Sequence, residues 1–259
     1  MCNTGIHDDI SILDIDNPFP GSISYYLPLC SSTMDVARRL SSTALYGLVR
    51  TGEQSNGRGR LPGRLWHGSK EESLLVTMWL PIAAFGDAPP PLLAGLALKR
   101  ACESWASEHG LSFTKGLNLK WPNDLLCDGR KIAGLLCETS GSTVYVGVGL
   151  NCLQEEFPTG FNTDPGSIYM QTGKKPELND MAAGLAKAFH GLLGAPSGWK
   201  NEYESAMAWR QRRVCFVPGI DSPPVHGILL GIDDGGSIIM SLDGEPTRRS
   251  FASGELRRY

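Results

Sequence analysis

This chain lacks a basic leader, an apolar run of membrane length, and any cysteine spacing of the metal-binding kind. Its first twenty residues, MCNTGIHDDISILDIDNPFP, are acidic and mixed, without the charged and apolar regions of a secretory signal. Nowhere do about 18 apolar residues run together, so no membrane-spanning helix is expected. Charge of one sign is also missing: 24 Lys and Arg stand against 27 Asp and Glu, for a net charge of −3. Phosphate-backbone binders carry a clear excess of Lys and Arg, so no nucleic-acid partner is expected and any anion site must be a local cluster. The seven cysteines, at 2, 30, 102, 127, 137, 152 and 215, are odd in number and free of CxxC spacing. They read as reduced thiols in a cytoplasmic protein, with no zinc framework. Internal repeats and low-complexity tracts are absent as well.

What is present is enough apolar residue for a core. At 259 residues and 41% hydrophobic content, the chain fits one large domain, or one domain with a small appendage. Ser32, with Asp35 three positions later and VARRL following, resembles a capping-box helix start. Leu48–Thr51 is a short strand candidate. Ser73–Pro81 is a near-continuous apolar run of strand length, consistent with burial on both faces. From Pro91 to Gly110 and from Asn179 to Leu193 the periodicity is helical, the second with Leu185, Phe189 and Leu192 on one face. Asn118 to Asp124 is strand-like and Leu125 to Cys127 continues extended. Asp128-Gly129 is a hairpin turn, Arg130 to Glu138 returns, and Val144 to Asn151 completes a meander. After Trp209, four short strands at 214–217, 227–232, 237–242 and 247–251 are separated by Gly/Pro/Asp turns, the pattern of a small barrel.

Three stretches bear chemistry. TGEQSNGRGRLPGRLW, residues 51–66, places Arg58, Arg60 and Arg64 on a glycine-rich loop. Glycine lets backbone approach a phosphate, and arginine forks donate in pairs to anions; a solvated surface loop fits the composition equally well. It is neither GxxxxGK[ST] nor a GxGxxG that opens a helix. In KWPNDLLCDGRKIAGLLCE, residues 120–138, the hairpin draws Lys120, Asn123, Asp124 and Lys131 together. Strict alternation puts Lys131 on one face with Ala133, Leu135 and Cys137, where an unpaired ammonium would be costly; a lysine snorkelling to solvent is the alternative. In VGVGLN, Gly147 and Gly149 interrupt a strand, as a ligand's close approach or a tight bend would require.

Together these stretches resemble the biotin protein ligases. The resemblance rests on SST at 31–33, EQSNGRGRLPGRLW at 53–66, KWPNDLLCDGRKIAGLLCE at 120–138, VGVGLN at 146–151 and the terminal SGELRR. It implies an α+β fold: a catalytic domain like that of class II aminoacyl-tRNA synthetases and biotin ligases, with a mixed, largely antiparallel sheet and flanking helices, over residues 1–209. An SH3-like β-barrel over 210–259 would follow. It implies an ATP-dependent enzyme that forms biotinyl-5'-AMP, releases pyrophosphate, and transfers biotin to a lysine of a biotin carboxyl carrier domain. ATP and biotin are then substrates, with Mg²⁺ expected.

By the same resemblance, Ser32, Thr33, Gln54, Arg58, Gly59, Arg60, Lys131 and Gly134 bind biotin. Arg58, Arg60, Trp66, Lys120, Asn123, Lys131 and Asn151 bind the nucleotide. Lys131, Arg58 and Asp124 are the catalytic candidates, Asp124 as helper of the acceptor amine or as a cap that orients the hairpin. Leu61-Pro62 lengthens the arginine segment by one residue relative to the family pattern, which leaves the role of Arg64 open, and Met34 stands where some members carry asparagine. About 30 residues precede the Ser-Ser-Thr motif, too few for a winged-helix repressor domain, so no DNA-binding role is expected. Homodimerisation through an edge strand is compatible with this fold. A nucleic-acid module and a lipoate ligase are the rival readings.

Overall fold

The computed structural model describes residues 9–60, 63, 65, 66, 68, 70–161, 163–194, 197–219 and 222–258. Leu61, Pro62 and Arg64 lie outside the described residues. The larger part is an eight-stranded sheet: β1 (Ser11–Ile12), β2 (Ile23–Leu27), β3 (Gly47–Thr51), β4 (Ser73–Pro81), β5 (Leu117–Lys120), β6 (Asp124–Cys127), β7 (Arg130–Ser140) and β8 (Thr143–Asn151). Their order across the sheet is β1-β2-β3-β4-β8-β7-β6-β5. Only β2 and β3 run parallel, joined by the crossover helix α1 (Thr33–Leu40). Helix α2 (Pro90–Glu108) follows β4, and α3 (Ile168–Thr172), α4 (Leu178–Gly194) and α5 (Trp199–Ala206) follow β8. Among the described residues no helix is long and apolar enough to cross a membrane.

Strand periodicity divides this sheet into two faces with different work. Along β4, Leu74, Val76, Met78 and Leu80 enter the main core beneath α2 and α4. Trp79, from the opposite face, packs in a smaller cluster with Met34, Val36 and Ala37 of α1. Along β8, Val144, Val146, Val148 and Leu150 likewise join the main core. Gly147 and Gly149 therefore lie on the face toward α1, and this is the face that carries the site.

Three local readings need correction. The run from Asn118 to Cys127 is not one strand: the chain reverses at Trp121-Pro122-Asn123, and β5 pairs antiparallel with β6. Proline cannot supply the ladder N–H, so the chain turns there. Second, Lys131 does not share a face with Ala133, Leu135 and Cys137. Leu126 pairs with Lys131 while Leu125 pairs with Ala133, leaving Ile132 as a bulge. One extra residue shifts the alternation, so Ile132, Ala133 and Leu135 are core and Lys131 turns to the other face beside Gly134. Third, Ser32 stands at the N-cap of α1 but its side chain makes no cap hydrogen bond. Gln54 does that work instead: its Oε1 accepts from the Thr33 amide at 2.8 Å.

The Asp128-Gly129 turn behaves as read, with both residues at positive φ, 50° and 75°. Beyond it, the C-terminal part has five strands rather than four: β9 (Arg213–Val217), β10 (Val225–Ile232), β11 (Ile238–Leu242), β12 (Arg248–Phe251) and β13 (Glu255–Arg258), in the order β12-β11-β10-β9-β13. β13 is short and mostly charged, so alternation gave no signal for it. Val214, Phe216, Leu229, Ile238, Met240 and Leu256 from these strands join the same core as the large sheet. Trp121 reinforces the junction by donating its indole N–H to the Gly236 carbonyl at 2.8 Å. The six described cysteines are free thiols; burial pushes Cys137 and Cys152 up to about 12, which keeps both protonated and inert.

Trp121→Phe should cost about 1–3 kcal/mol of stability, because it leaves the Gly236 carbonyl buried without its donor. Urea unfolding measures this; an unchanged midpoint would show that the two parts are not coupled there.

Candidate functional site

Residues from both ends of the chain meet over the α1 face of the sheet. The N-terminus of α1 brings Ser32 and Thr33, and the glycine-rich segment after β3 brings Gln54, Arg58, Gly59, Arg60 and Trp66. The β5–β6 turn brings Lys120, Asn123 and Asp124, while Lys131 and Gly134 come from β7. All of these line one solvent-open cavity of about 140 Å³, together with Gly147 and Gly149 of β8 and Glu255 of β13. Asn151 faces a neighbouring cavity of about 430 Å³ that shares Trp66, Lys120, Asp124, Lys131 and Glu255 with the first. Arg58 and Lys131 thus lie on the same cleft.

A polar chain fixes one wall. Thr77, a hydroxyl within the apolar run of β4, donates to Thr33 Oγ1 at 2.8 Å. Thr33 Oγ1 in turn donates to Gln54 Oε1 at 3.1 Å. The Gln54 carbonyl is therefore committed to the start of α1, and its amide N–H groups are oriented by that commitment. Ser32 is 2% exposed and keeps a hydroxyl not consumed by capping.

The opposite wall is charged. Asp124 Oδ1 lies 2.6 Å from Lys131 Nζ, and Asp124 Oδ2 lies 3.4 Å from Lys120 Nζ. One carboxylate therefore holds two ammonium groups side by side, an arrangement that repulsion would otherwise spread. Lys120 is 6% exposed and lies 5.9 Å from the Trp209 ring centroid. Asn123 is tied to β7 through its side-chain amide, which donates to the Leu135 carbonyl at 3.0 Å. Asn151 is similarly committed, donating to the Gly166 carbonyl at 2.9 Å.

The arginines stand at the rim. Arg58 makes a two-pronged contact with Asp35 of α1, at 2.7 and 3.1 Å, and this hydrogen bonding raises its pKa from the ordinary value. Arg60 donates to the Gly254 carbonyl at 2.7 Å, linking the segment to the turn before β13. Trp66 lies on the glycine floor: a Cβ added to Gly149 would stand 2.4 Å from its ring, and one added to Gly134 would stand 3.1 Å from it. Lys131 Nζ is 6.0 Å from that ring's centroid, and the indole N–H is buried without a partner.

Four cations, Arg58, Arg60, Lys120 and Lys131, converge with an apolar floor and neutral donors and acceptors. Such a cleft can hold an uncharged polar head at one end and bring anionic groups together at the other. Among the described residues no group of three or more His, Cys, Asp or Glu side chains could hold a metal ion. Sequence reading did not find Glu255 or Thr77 as site residues. Glu255 lies in the quoted SGELRR with nothing local to mark it, whereas a single threonine in LLVTMWL was a usable signal.

The chain is similar to known proteins in both sequence and fold. Residues 26–152 match the model of the biotin/lipoate A/B protein ligase family. A biotin--[acetyl-CoA-carboxylase] ligase of Mycobacterium tuberculosis is 30% identical over 223 residues, which cover 81% of this chain and 79% of that protein. The bifunctional ligase/repressor BirA of Escherichia coli is 26% identical over 233 residues, 79% of this chain and 68% of its own length. The solved structure of biotin protein ligase from Aquifex aeolicus in complex with biotin and ATP is similar with a TM-score of 0.76, at 26% identity. That match covers 93% of this chain and 100% of the other.

Gly149→Ala should displace Trp66, since its methyl group would overlap the ring. Quenching of tryptophan fluorescence by acrylamide measures this: greater access than in the unaltered protein is expected, and an unchanged quenching constant would contradict the packing described.

Proposed function

The chain belongs to the biotin/lipoate A/B protein ligase family and is a biotin protein ligase, and on that premise we propose how its own residues do the work. Biotin enters the cavity between α1 and β8, with Ser32, Thr33 and Gln54 meeting its ureido head. Neutral donors and acceptors suit a group that carries no charge. ATP occupies the adjoining cavity, with Trp66 and Asn151 on its walls and the α-phosphate at the junction beside Lys131 and Lys120. The observation that carries this reading is that Lys131 and Lys120 border both cavities.

A biotin carboxylate oxygen attacks the α-phosphorus, the α–β phosphoanhydride bond breaks, and pyrophosphate leaves with its electron pair. Two anions must meet for this, and Lys131, Lys120, Arg58 and Arg60 offset their repulsion and the charge that develops on the transferring group. The product is biotinyl-5'-AMP, with Gly59 and Gly134 allowing close approach of backbone around it. In the second step the lysine amine of a biotin carboxyl carrier domain attacks the acyl carbon and AMP leaves. The nitrogen sheds a proton as the amide forms, and Asp124, whose carboxylate borders the cleft between Lys120 and Lys131, serves as its acceptor.

Mg²⁺ is expected to arrive on the nucleotide phosphates. Magnesium held mainly by phosphates and water needs one or two protein carboxylates at most, which accords with the lack of a larger donor cluster among the described residues. Its chemistry would be to neutralise phosphate charge, and no step here depends on a protein-held ion. The division into a catalytic domain, 1–209, and a C-terminal barrel, 210–259, belongs to this proposal, as do a cytoplasmic location and the absence of a nucleic-acid role.

Exchange of labelled pyrophosphate into ATP, run with biotin and with lipoate separately, tests the first step. Biotin should stimulate exchange and lipoate should not; stimulation by lipoate alone would overturn the assignment. Lys131→Ala should lower biotin-dependent exchange by about 10²–10³-fold while the protein stays folded, as removal of a charge-stabilising donor does in other sites. Near-normal exchange would remove Lys131 from this role.

A further inference from the structure

The segment that carries Gln54, Arg58, Arg60 and Trp66 leaves β3 at Thr51 and re-enters the sheet at Ser73. A charged cluster apart from the cleft ties those two ends together. Arg50 of β3 is 5% exposed, and its guanidinium pairs with the carboxylate of Glu71. Its Nε is buried without a partner. The Tyr26 hydroxyl of β2 donates to Glu71 Oε1 at 2.6 Å, and the Arg50 guanidinium lies 5.0 Å from the Tyr26 ring centroid. Burial and the Glu71 hydrogen bond raise the Tyr26 pKa, which keeps this hydroxyl a donor.

The backbone is committed to the same contact. The Glu71 amide donates to the Gly52 carbonyl at 2.9 Å, and the Gly52 amide donates to the Leu27 carbonyl at 3.0 Å. A Cβ on Gly52 would stand 2.2 Å from Glu71 Oε1, so only glycine leaves room for that carboxylate. Glu71 itself has φ 55°, in the left-handed region where glycine is favoured. A non-glycine residue stays in that region where its surroundings over-determine it, as the contacts with Arg50, Tyr26 and Gly52 do for Glu71.

We propose that Glu71, through Arg50 and Tyr26, is a positioning residue for the ligand-bearing segment. It fixes the returning end of that segment on β2 and β3, so that Gln54, Arg58, Arg60 and Trp66 keep their places around the cleft. A buried guanidinium requires an anion, and Glu71 can supply it only by staying where the segment ends. The clamp rests on the ligase reading of the cleft and adds to it a residue that touches neither substrate.

The test uses biotin-dependent pyrophosphate exchange in the full chain, together with the rate at which acyl adenylate escapes into solution. Glu71→Gln and Glu71→Gly should each raise KM for biotin and ATP, and adenylate escape, by about tenfold, with kcat within about twofold. Glu71→Gly relieves the backbone while removing the carboxylate, so equal loss in both variants assigns the effect to the carboxylate. Tyr26→Phe keeps the Arg50–Glu71 pair and should shift both quantities by about threefold, the loss of one charge-assisted hydrogen bond. If Glu71→Gln does not fold, Glu71→Gly and Tyr26→Phe decide. Unaltered KM and adenylate escape in Glu71→Gly and Tyr26→Phe, with only a lower melting temperature, would overturn the clamp. Absence of biotin-dependent exchange in the unaltered protein would instead overturn the ligase reading beneath it.

Discussion

Asp124 holds two lysines that would otherwise repel each other, and the chemistry proposed for the cleft depends on that arrangement. Its carboxylate lies 2.6 Å from Lys131 and 3.4 Å from Lys120. Like charges held this close to one carboxylate repel each other, and the repulsion grows as the local dielectric falls. A shared counter-ion removes most of that cost before substrate arrives. When anions enter, the ammonium groups are already in place and need little reorganisation, which is how fixed charge lowers a barrier between like-charged reactants.

The sheet explains why those groups face the cleft at all. Without the bulge at Ile132, strict alternation would send Lys131 into the layer occupied by Ala133 and Leu135, against α2. With it, Ile132 fills the core and Lys131 turns toward Trp66 and Gly134. The glycines at 134, 147 and 149 then keep this face of β7 and β8 low enough for Met34 and Trp66 to lie on it. Core packing on one side and open floor on the other are two consequences of the same alternation. The C-terminal strands take part too, since Glu255 lines the cavity and the Gly254 carbonyl receives Arg60.

The long apolar strand β4 and helices α2 and α4 were legible because burial imposes a strong period on them. The hairpin at Asp128-Gly129 was legible because few residue pairs tolerate two positive φ angles. The candidate site residues came from motif resemblance more than from physics, and all of them except Asn151 line the main cavity. What escaped was contextual. The bulge at Ile132 leaves an ordinary IAGLL sequence, and nothing local says which residue is the extra one. Ser32 had the right type and spacing for a cap, yet Gln54, from a distant segment, made that bond. Glu71 gave no sign of its role, because a glutamate in KEES reads as solvated surface until its φ angle and its partners Arg50 and Tyr26 are seen.

The central claim is that a carboxylate oxygen of biotin attacks the α-phosphorus of ATP within this cation-lined cleft. Oxygen tracing addresses it directly: biotin labelled with ¹⁸O in its carboxylate, ATP and an acceptor protein are turned over, and the AMP is examined by mass spectrometry. Attack through the carboxylate leaves one labelled oxygen on AMP for each amide formed. AMP free of label, with biotin transferred, would mean that the two anions never bonded and would contradict the account.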